Sequence, residues 1–372
     1  MSDYDVIVLG LGAMGSAASY QLARRGHRVL GFDAHPERHQ LGSSHGDHRM
    51  IRRSHNDPDF RPYVDRAFEL WCELEADSGE DLLSLYGEIA IQPASVLDEW
   101  PESERDRMPR VLSAADLAAE FPGFRVPEPL VATYEAESGM LRPEAAVSAQ
   151  LRLARAHGAE LRRPERVLDW TADGSGVKVT TDRGVVRAER LVVTAGPWAP
   201  MLLGELGLPI EAVRIVNMYV APGDPVLWAR ENGAPNFMLD VPEGTFYGLP
   251  AMDGLGLKIG MDDTTRPTTP DTIDREVTDA DLAPLLGALS SYLPGAVGPV
   301  TQTVTCMYTM TPDWSFIIER HREHPQIAYA TGFSGMGFKF SPVVGEVLAD
   351  LAVAEAPALD LSCFSSARFA GE

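Results

Sequence analysis

The stretch YDVIVLGLGAMGSAASYQLARRGHRVLGFD, residues 4–33, decides the fold. An apolar run, Val6–Leu9, reads as a strand and meets a turn carrying Gly10, Gly12 and Gly15. A helix of small residues follows, Gly26 stops it, and a second strand ends at Asp33. This order is a βαβ unit with the dinucleotide fingerprint in its proper context. The glycines permit a tight turn and the close approach of a pyrophosphate to the helix N-terminus, where free backbone N–H groups point. Asp33 is placed to accept a ribose hydroxyl, and an acid at that point disfavours a 2′-phosphate.

Outward from this unit, helical patterns run at 60–78 and 114–120, and LRPEAAVSAQLRLARAHGAE (141–160) is an amphipathic helix beginning beside a proline. Residues 165–196 alternate around DG and RG turns as a β-meander and lead into LVVTAG, an apolar strand able to join a parallel sheet. Residues 208–300 are richer in Pro, Gly and aromatics, with short runs such as VRIVNMYVAP, TFYGLPA and GLGLKIGM. They suggest a second, mostly antiparallel domain. Residues 326–353 read as strand, glycine-rich loop and helix, a return to the nucleotide domain. With no internal repeat and no low-complexity linker, the two domains interleave along the chain.

A chain of 372 residues with 45% hydrophobic content is long enough for two domains. Its net charge of −22 argues against nucleic acid as a partner, because phosphate binding needs clustered Lys and Arg. MSDYDVIVLG enters a strand directly, without a basic leader, and no apolar run approaches the ~18 residues of a membrane span. The expectation is a soluble, cytoplasmic protein. Cys72, Cys306 and Cys363 show no paired spacing, so neither a disulfide framework nor a zinc ladder is indicated.

Of 32 Lys plus Arg, the lysines are Lys178, Lys258 and Lys339 alone. A lysine in so arginine-biased a chain is a candidate for a site needing a compact ammonium whose pKa can shift. Lys178, in VKVTTD, reads as a surface residue. Lys258 lies between apolar residues in a strand, where burial is costly without a function or partner; an edge strand facing solvent would give the same pattern. In GSSHGDHRMIRRSH (42–55), His45, His48, His55 and Asp47 invite a metal reading. Their spacing matches no standard site, and Arg49, Arg52 and Arg53 would repel a cation. Arginines among glycine and small polar residues suit an anion instead: a cofactor phosphate, a reduced flavin or a substrate carboxylate. An arginine-rich surface loop would read alike. In GFSGMGFKF (332–340) the small residues let backbone lie against a planar ring or a phosphate, with Lys339 at the edge.

Taken in order, the fingerprint, SSHGDHRMIRR, GLGLKIG, TCMYTMTPDWSFII and GFSGMGFKF resemble the monomeric sarcosine oxidase and N-methyltryptophan oxidase family across essentially the whole chain. The resemblance implies an α/β fold: a Rossmann-type FAD-binding domain (1–85, 141–207 and 307–372) interleaved with a mostly antiparallel β-sheet catalytic domain (86–140 and 208–306). It implies a monomer, a secondary amino acid and O2 as substrates, and FAD held by a thioether from Cys306 to the 8α-methyl. Gly10, Gly12, Ala13, Met14, Gly15 and Asp33 would bind FAD with Ser44, His45 and Arg49. Val167, Gly196, Trp198, Gly335, Gly337 and Phe338 would complete the cofactor set with Lys339. Lys258 matches the oxygen-activating lysine and Arg49 the arginine near the flavin ring. Arg52 and Lys339 match the pair that holds the substrate carboxylate, and Tyr247 and Tyr308 match wall positions.

Two positions depart from sarcosine oxidases. Asp262 and Met336 stand where that family has histidines. Asp262 would then act at the substrate amine, and Met336 would make the loop more apolar. Oxidation of a cyclic imino acid, pipecolate- or proline-like, is the alternative within the class. A nicotinamide dehydrogenase on the same fingerprint would leave Cys306 without a role. A flavin-binding sensor would hold a flavin that no amino acid reduces.

Overall fold

The computed structural model describes residues 3–55 and 57–370. Tyr4–Leu9 pairs in parallel with Val29–Phe32 on one side and with Gly184–Val193 on the other. Gly184–Val193 is the pivot of an eight-stranded sheet. Its first half closes the meander antiparallel to Gly176–Thr181, and its second half lies between Tyr4–Leu9 and Ile327–Thr331. LVVTAG is therefore the far end of a meander strand rather than an element of its own. Helices Ala13–Arg24, Pro143–Ala156 and Ser341–Ala352 pack together over this sheet. The 141–160 pattern starts its helix at Pro143, since a proline at the first helical position loses no intrahelical hydrogen bond.

A nine-stranded sheet forms the other half. Its long pair, Glu211–Val220 against Val300–Met310, is antiparallel. Leu257–Met261, Gly244–Leu249 and Asn236–Val241 follow antiparallel; Glu88–Pro93 joins in parallel, then Leu130–Glu135 and Arg110–Leu112. A helix at Asp279–Tyr292, not apparent in the sequence pattern, covers one face of the sheet. Asp281 in its first turn accepts from the Thr278 backbone N–H and from buried Arg214. The expected boundary between residues 306 and 307 needs correction. Val300–Met310 is one strand paired as far as Met310, so a boundary inside it would split a single hydrogen-bonded ladder. A three-stranded sheet of Arg49–Ile51, Gly139–Leu141 and Leu83–Leu85 joins the two halves.

Close helix packing at the nucleotide end depends on Gly345. A Cβ there would lie 2.4 Å from the Ala17 Cβ and 2.6 Å from its carbonyl carbon. Overpacking against backbone costs ~1–3 kcal/mol, so Gly345→Ala is expected to lower unfolding stability by about that much in urea titration.

Candidate active site

Between the nine-stranded sheet and the loops of the nucleotide half lies a cavity of about 810 Å³. Its floor follows from the period-two rule that residues i and i+2 of a strand share a face. Lys258 lies on Leu257–Met261 and Asp262 directly follows that strand in the same alternation, while Cys306 and Tyr308 are two such positions on another strand. Gly260, between Lys258 and Asp262, stands opposite both Asn217 and Tyr247 across three strands. A Cβ at Gly260 would come within 2.6 Å of the Asn217 amide oxygen and the Tyr247 hydroxyl. The missing side chain thus lets a polar chain form. Tyr308 donates to Tyr247 (2.8 Å), Tyr247 donates to the Asn217 Oδ1 (3.1 Å), and Asn217 Nδ2 points at the Cys306 Sγ (3.7 Å).

The roof comes from the loops that follow the parallel strands. The Leu11 N–H donates to Asp33 Oδ2 at 2.9 Å and the Ala13 N–H to Ser44 Oγ at 3.0 Å, which fixes the helix N-terminus against the cavity. Gly10, Gly12, Met14, His45 and Gly196 line the same wall, with Val167 and Trp198 beyond Asp33. At the other end, Gly335, Gly337, Phe338 and Lys339 line it with Met336. Gly335 has φ +78°, and a Cβ there would sit 2.6 Å from the Tyr308 ring. Gly15 does not line the cavity. A Cβ on it would fall 1.7 Å from the Gly10 carbonyl oxygen, so it permits the turn rather than touching a ligand. Asp47, Arg53 and His55 also lie outside the lining. Arg53 stacks on Phe68, and His55 stacks on Phe60.

Positive charge dominates one part of the cavity. Arg49 gives its guanidinium to the carbonyls of Ser43, His45 and His48. Among the described residues no carboxylate forms an ion pair with it. Lys258, in an interior strand and 7% exposed, reaches among the described residues the His48 carbonyl (3.4 Å) and the Tyr219 ring. Burial, then the Arg49 charge, lowers its ammonium to about 7. Lys339 is lowered to about 7 by burial and then by Arg52. Burial raises Asp262 to about 6 against the pull of Tyr308, Arg52 and Lys339. Burial also raises the Cys306 thiol, while Arg49, Lys258 and Asn217 favour its thiolate.

These residues fit FAD. The glycine turn meets a helix N-terminus, Asp33 faces the cavity, and buried His45 Nε2 has no hydrogen-bond partner among the described residues. Arg49 and Lys258 add positive charge that no carboxylate ion-pairs among the described residues, suited to an electron-rich ring. Residues 5–351 match the model of the FAD dependent oxidoreductase family. The chain belongs to this family. It is 38% identical to monomeric sarcosine oxidase of Streptomyces avermitilis, over 99% of this chain and 98% of that protein. It is 35% identical to N-methyl-L-tryptophan oxidase of Salmonella arizonae, over 98% and 99%. Among solved structures, the open form of NikD, an unusual amino acid oxidase essential for nikkomycin biosynthesis, matches at TM-score 0.86. Its sequence is 27% identical, and 98% of each chain is covered.

Sequence reading missed Glu88 and Asn217, both of which line the cavity. Glu88 alternates with Ala90 and Gln92, a face that reads as solvent-exposed until another layer covers it. Gly15→Ala is expected to strip flavin from the purified protein. The ratio of flavin to protein absorbance would fall at least about tenfold, since strain at this turn displaces the N–H groups that hold phosphate.

Proposed function

We propose that the protein is an FAD-dependent oxidase of secondary amino acids, giving an imine and hydrogen peroxide. One observation carries this reading: a single cavity gathers Arg52, Lys339, Asp262, Lys258 and Cys306 beside a dinucleotide cradle. Bound there, FAD supplies the two-electron acceptor for C–H oxidation. Gly10, Gly12, Ala13 and Asp33 hold its nucleotide end, and Arg49, Gly335, Gly337 and Phe338 hold its ring end.

The chain's own groups do the rest. Arg52 and Lys339 bind the substrate carboxylate by charge-assisted hydrogen bonds. That anion restores the ammonium of Lys339, which is depressed in its absence. Asp262, close enough to feel both cations, faces the substrate nitrogen and favours its protonated form until the proton leaves. Tyr247 and Tyr308, joined by their hydroxyls and half-buried, exclude water from that end. Lys258, when protonated, places a positive charge where oxygen is reduced, and negative charge developing there favours its depressed ammonium.

The relatives named monomeric sarcosine oxidase support N-methyl amino acids as substrates and a monomer as the working form. We place the enzyme in the cytoplasm. Among the described residues no helix is long and apolar enough to cross a membrane. A cyclic imino acid is the second reading, favoured by Asp262 and Met336 in the substrate wall. Release of formaldehyde with peroxide marks an N-methyl substrate; peroxide without formaldehyde marks a ring.

Cys306 is proposed as the point of covalent attachment. After acid precipitation the flavin colour should stay with the pellet in the wild type and pass to the supernatant in Cys306→Ala. Colour in the wild-type supernatant would refute the tether.

Asp262 carries its charge only above about pH 6 in the free enzyme. Above that value its charge holds the substrate nitrogen protonated, so anaerobic bleaching of the flavin by substrate should rise with pH through a substrate-amine limb displaced to higher pH. Asp262→Asn should move this limb to lower pH. A profile unchanged by Asp262→Asn would remove Asp262 from the reaction. Lys258→Met should slow reaction of the reduced enzyme with O2 by about 10²-fold, the usual loss for a preorganised charge, and anaerobic bleaching far less.

A further inference from the structure

Glu88 is a carboxylate that the proposed chemistry leaves without a task. It opens the strand Glu88–Pro93, is 3% exposed, and lines the cavity. Arg52 Nη1 lies 3.5 Å from its Oε1, and the Ser138 hydroxyl, shared with the Ile51 carbonyl at 2.9 Å, lies 3.2 Å from its Oε2. On one neighbouring strand Glu135 stands directly opposite. That carboxylate is taken by the Arg53 and Ser54 N–H groups and the Ser54 hydroxyl, so it adds negative charge without relieving Glu88. On the other neighbouring strand Asn236 is opposite, its side chain engaged with Tyr86 and the Gly139 carbonyl. Tyr86 and Lys339 both feel the charge of Glu88, and Asp262 shares Arg52 and Lys339 with it. The cation meant for the substrate thus already has a carboxylate from the protein.

We propose that Glu88 is the resident counter-ion of the carboxylate anchor: a substrate carboxylate arriving at Arg52 displaces it, and Glu88 takes up a proton. This rests on the reading that Arg52 and Lys339 bind that carboxylate. A buried carboxylate that loses its cation cannot remain charged at low cost. Burial already raises Glu88, and Arg52 is the chief influence holding it down. Once Arg52 is shared with a second anion, the Glu88 pKa rises further and a proton is bound between the two values. Lys339, lowered to about 7, and Asp262, raised to about 6, move the same way when an anion enters. The share of Glu88 is therefore obtained by subtraction. For an amino acid arriving as a zwitterion, the proton can come from its own ammonium. The substrate is then left as the neutral amine that C–H oxidation requires.

The test uses the flavin-loaded enzyme and benzoate, a carboxylate with no amine. Affinity is read from the flavin spectrum, and protons are counted by calorimetry in two buffers of different ionisation enthalpy. Wild type should take up protons on binding, with affinity falling as pH rises. Glu88→Gln should take up fewer and bind benzoate more tightly, about tenfold for each pKa unit by which Glu88 shifts. If Glu88→Gln does not hold flavin, Ser138→Ala serves instead. Loss of its hydroxyl raises Glu88 in the free enzyme and should move maximal uptake to higher pH. Identical affinity and proton count in wild type and Glu88→Gln, or no pH shift in Ser138→Ala, overturns the counter-ion role while Arg52→Gln still loses benzoate. If Arg52→Gln binds benzoate as well as wild type, the anchor itself is wrong and the inference falls with it.

Discussion

The pairing of Glu211–Val220 with Val300–Met310 is the constraint on which the site depends. It sets Cys306 against Ile215, Tyr308 against Val213 and Asn217 against Val304. A slip of one residue would turn Cys306 and Tyr308 away from the cavity, because strand side chains alternate faces. The apolar positions resist that slip: Ile215, Val213 and Cys306 pack in one small core with Met310. The chain then passes to Ile317–Arg320, which belongs to the other sheet. The same strand thus fixes the floor of the cavity and delivers the chain to its roof.

Burial does the electrostatic work that the composition only hinted at. A surface lysine would stay charged in any weak field, whereas desolvation depresses the ammonium of both buried Lys258 and half-buried Lys339. Each has another cation as its neighbour, Arg49 for Lys258 and Arg52 for Lys339. Two like-charged pairs in one cavity are tolerable only with anions to answer them. Glu88 and Asp262 answer Arg52 and Lys339 from within the chain. Arg49 and Lys258 have no ion-paired carboxylate among the described residues, and Asp47 only partly offsets Lys258, which is the electrostatic shape of a site for an electron-rich ring. The cavity therefore has a balanced half for a substrate and an unbalanced half for a cofactor.

Much of this was legible because it is local. The glycine turn, the helix behind it and Asp33 are neighbours in sequence, and their geometry follows from backbone freedom and hydrogen bonding within one βαβ unit. The lysine scarcity singled out Lys258 and Lys339 for a chemical reason, and both line the cavity. Gly15 was legible as part of the turn but not in its role, which depends on a distance to the Gly10 carbonyl. Asp47, Arg53 and His55 shared the composition of their functional neighbours, yet the chain bends so that they face elsewhere. The Asp279–Tyr292 helix escaped notice because its apolar residues meet a sheet rather than forming a strong stripe.

By itself the sequence determined a nucleotide fold, an anion-seeking arginine loop and a pair of unusual lysines, since each rests on contacts within a few residues. Tertiary structure alone decided which polar residues share the cavity. Glu88 meets Arg52, and Asn217 meets Tyr247 and Cys306, only after strands far apart in the chain lie side by side. On an isolated strand Glu88, Ala90 and Gln92 look like a face for water. The opposing layer removes that water, and burial converts an ordinary carboxylate into one whose proton depends on what occupies Arg52.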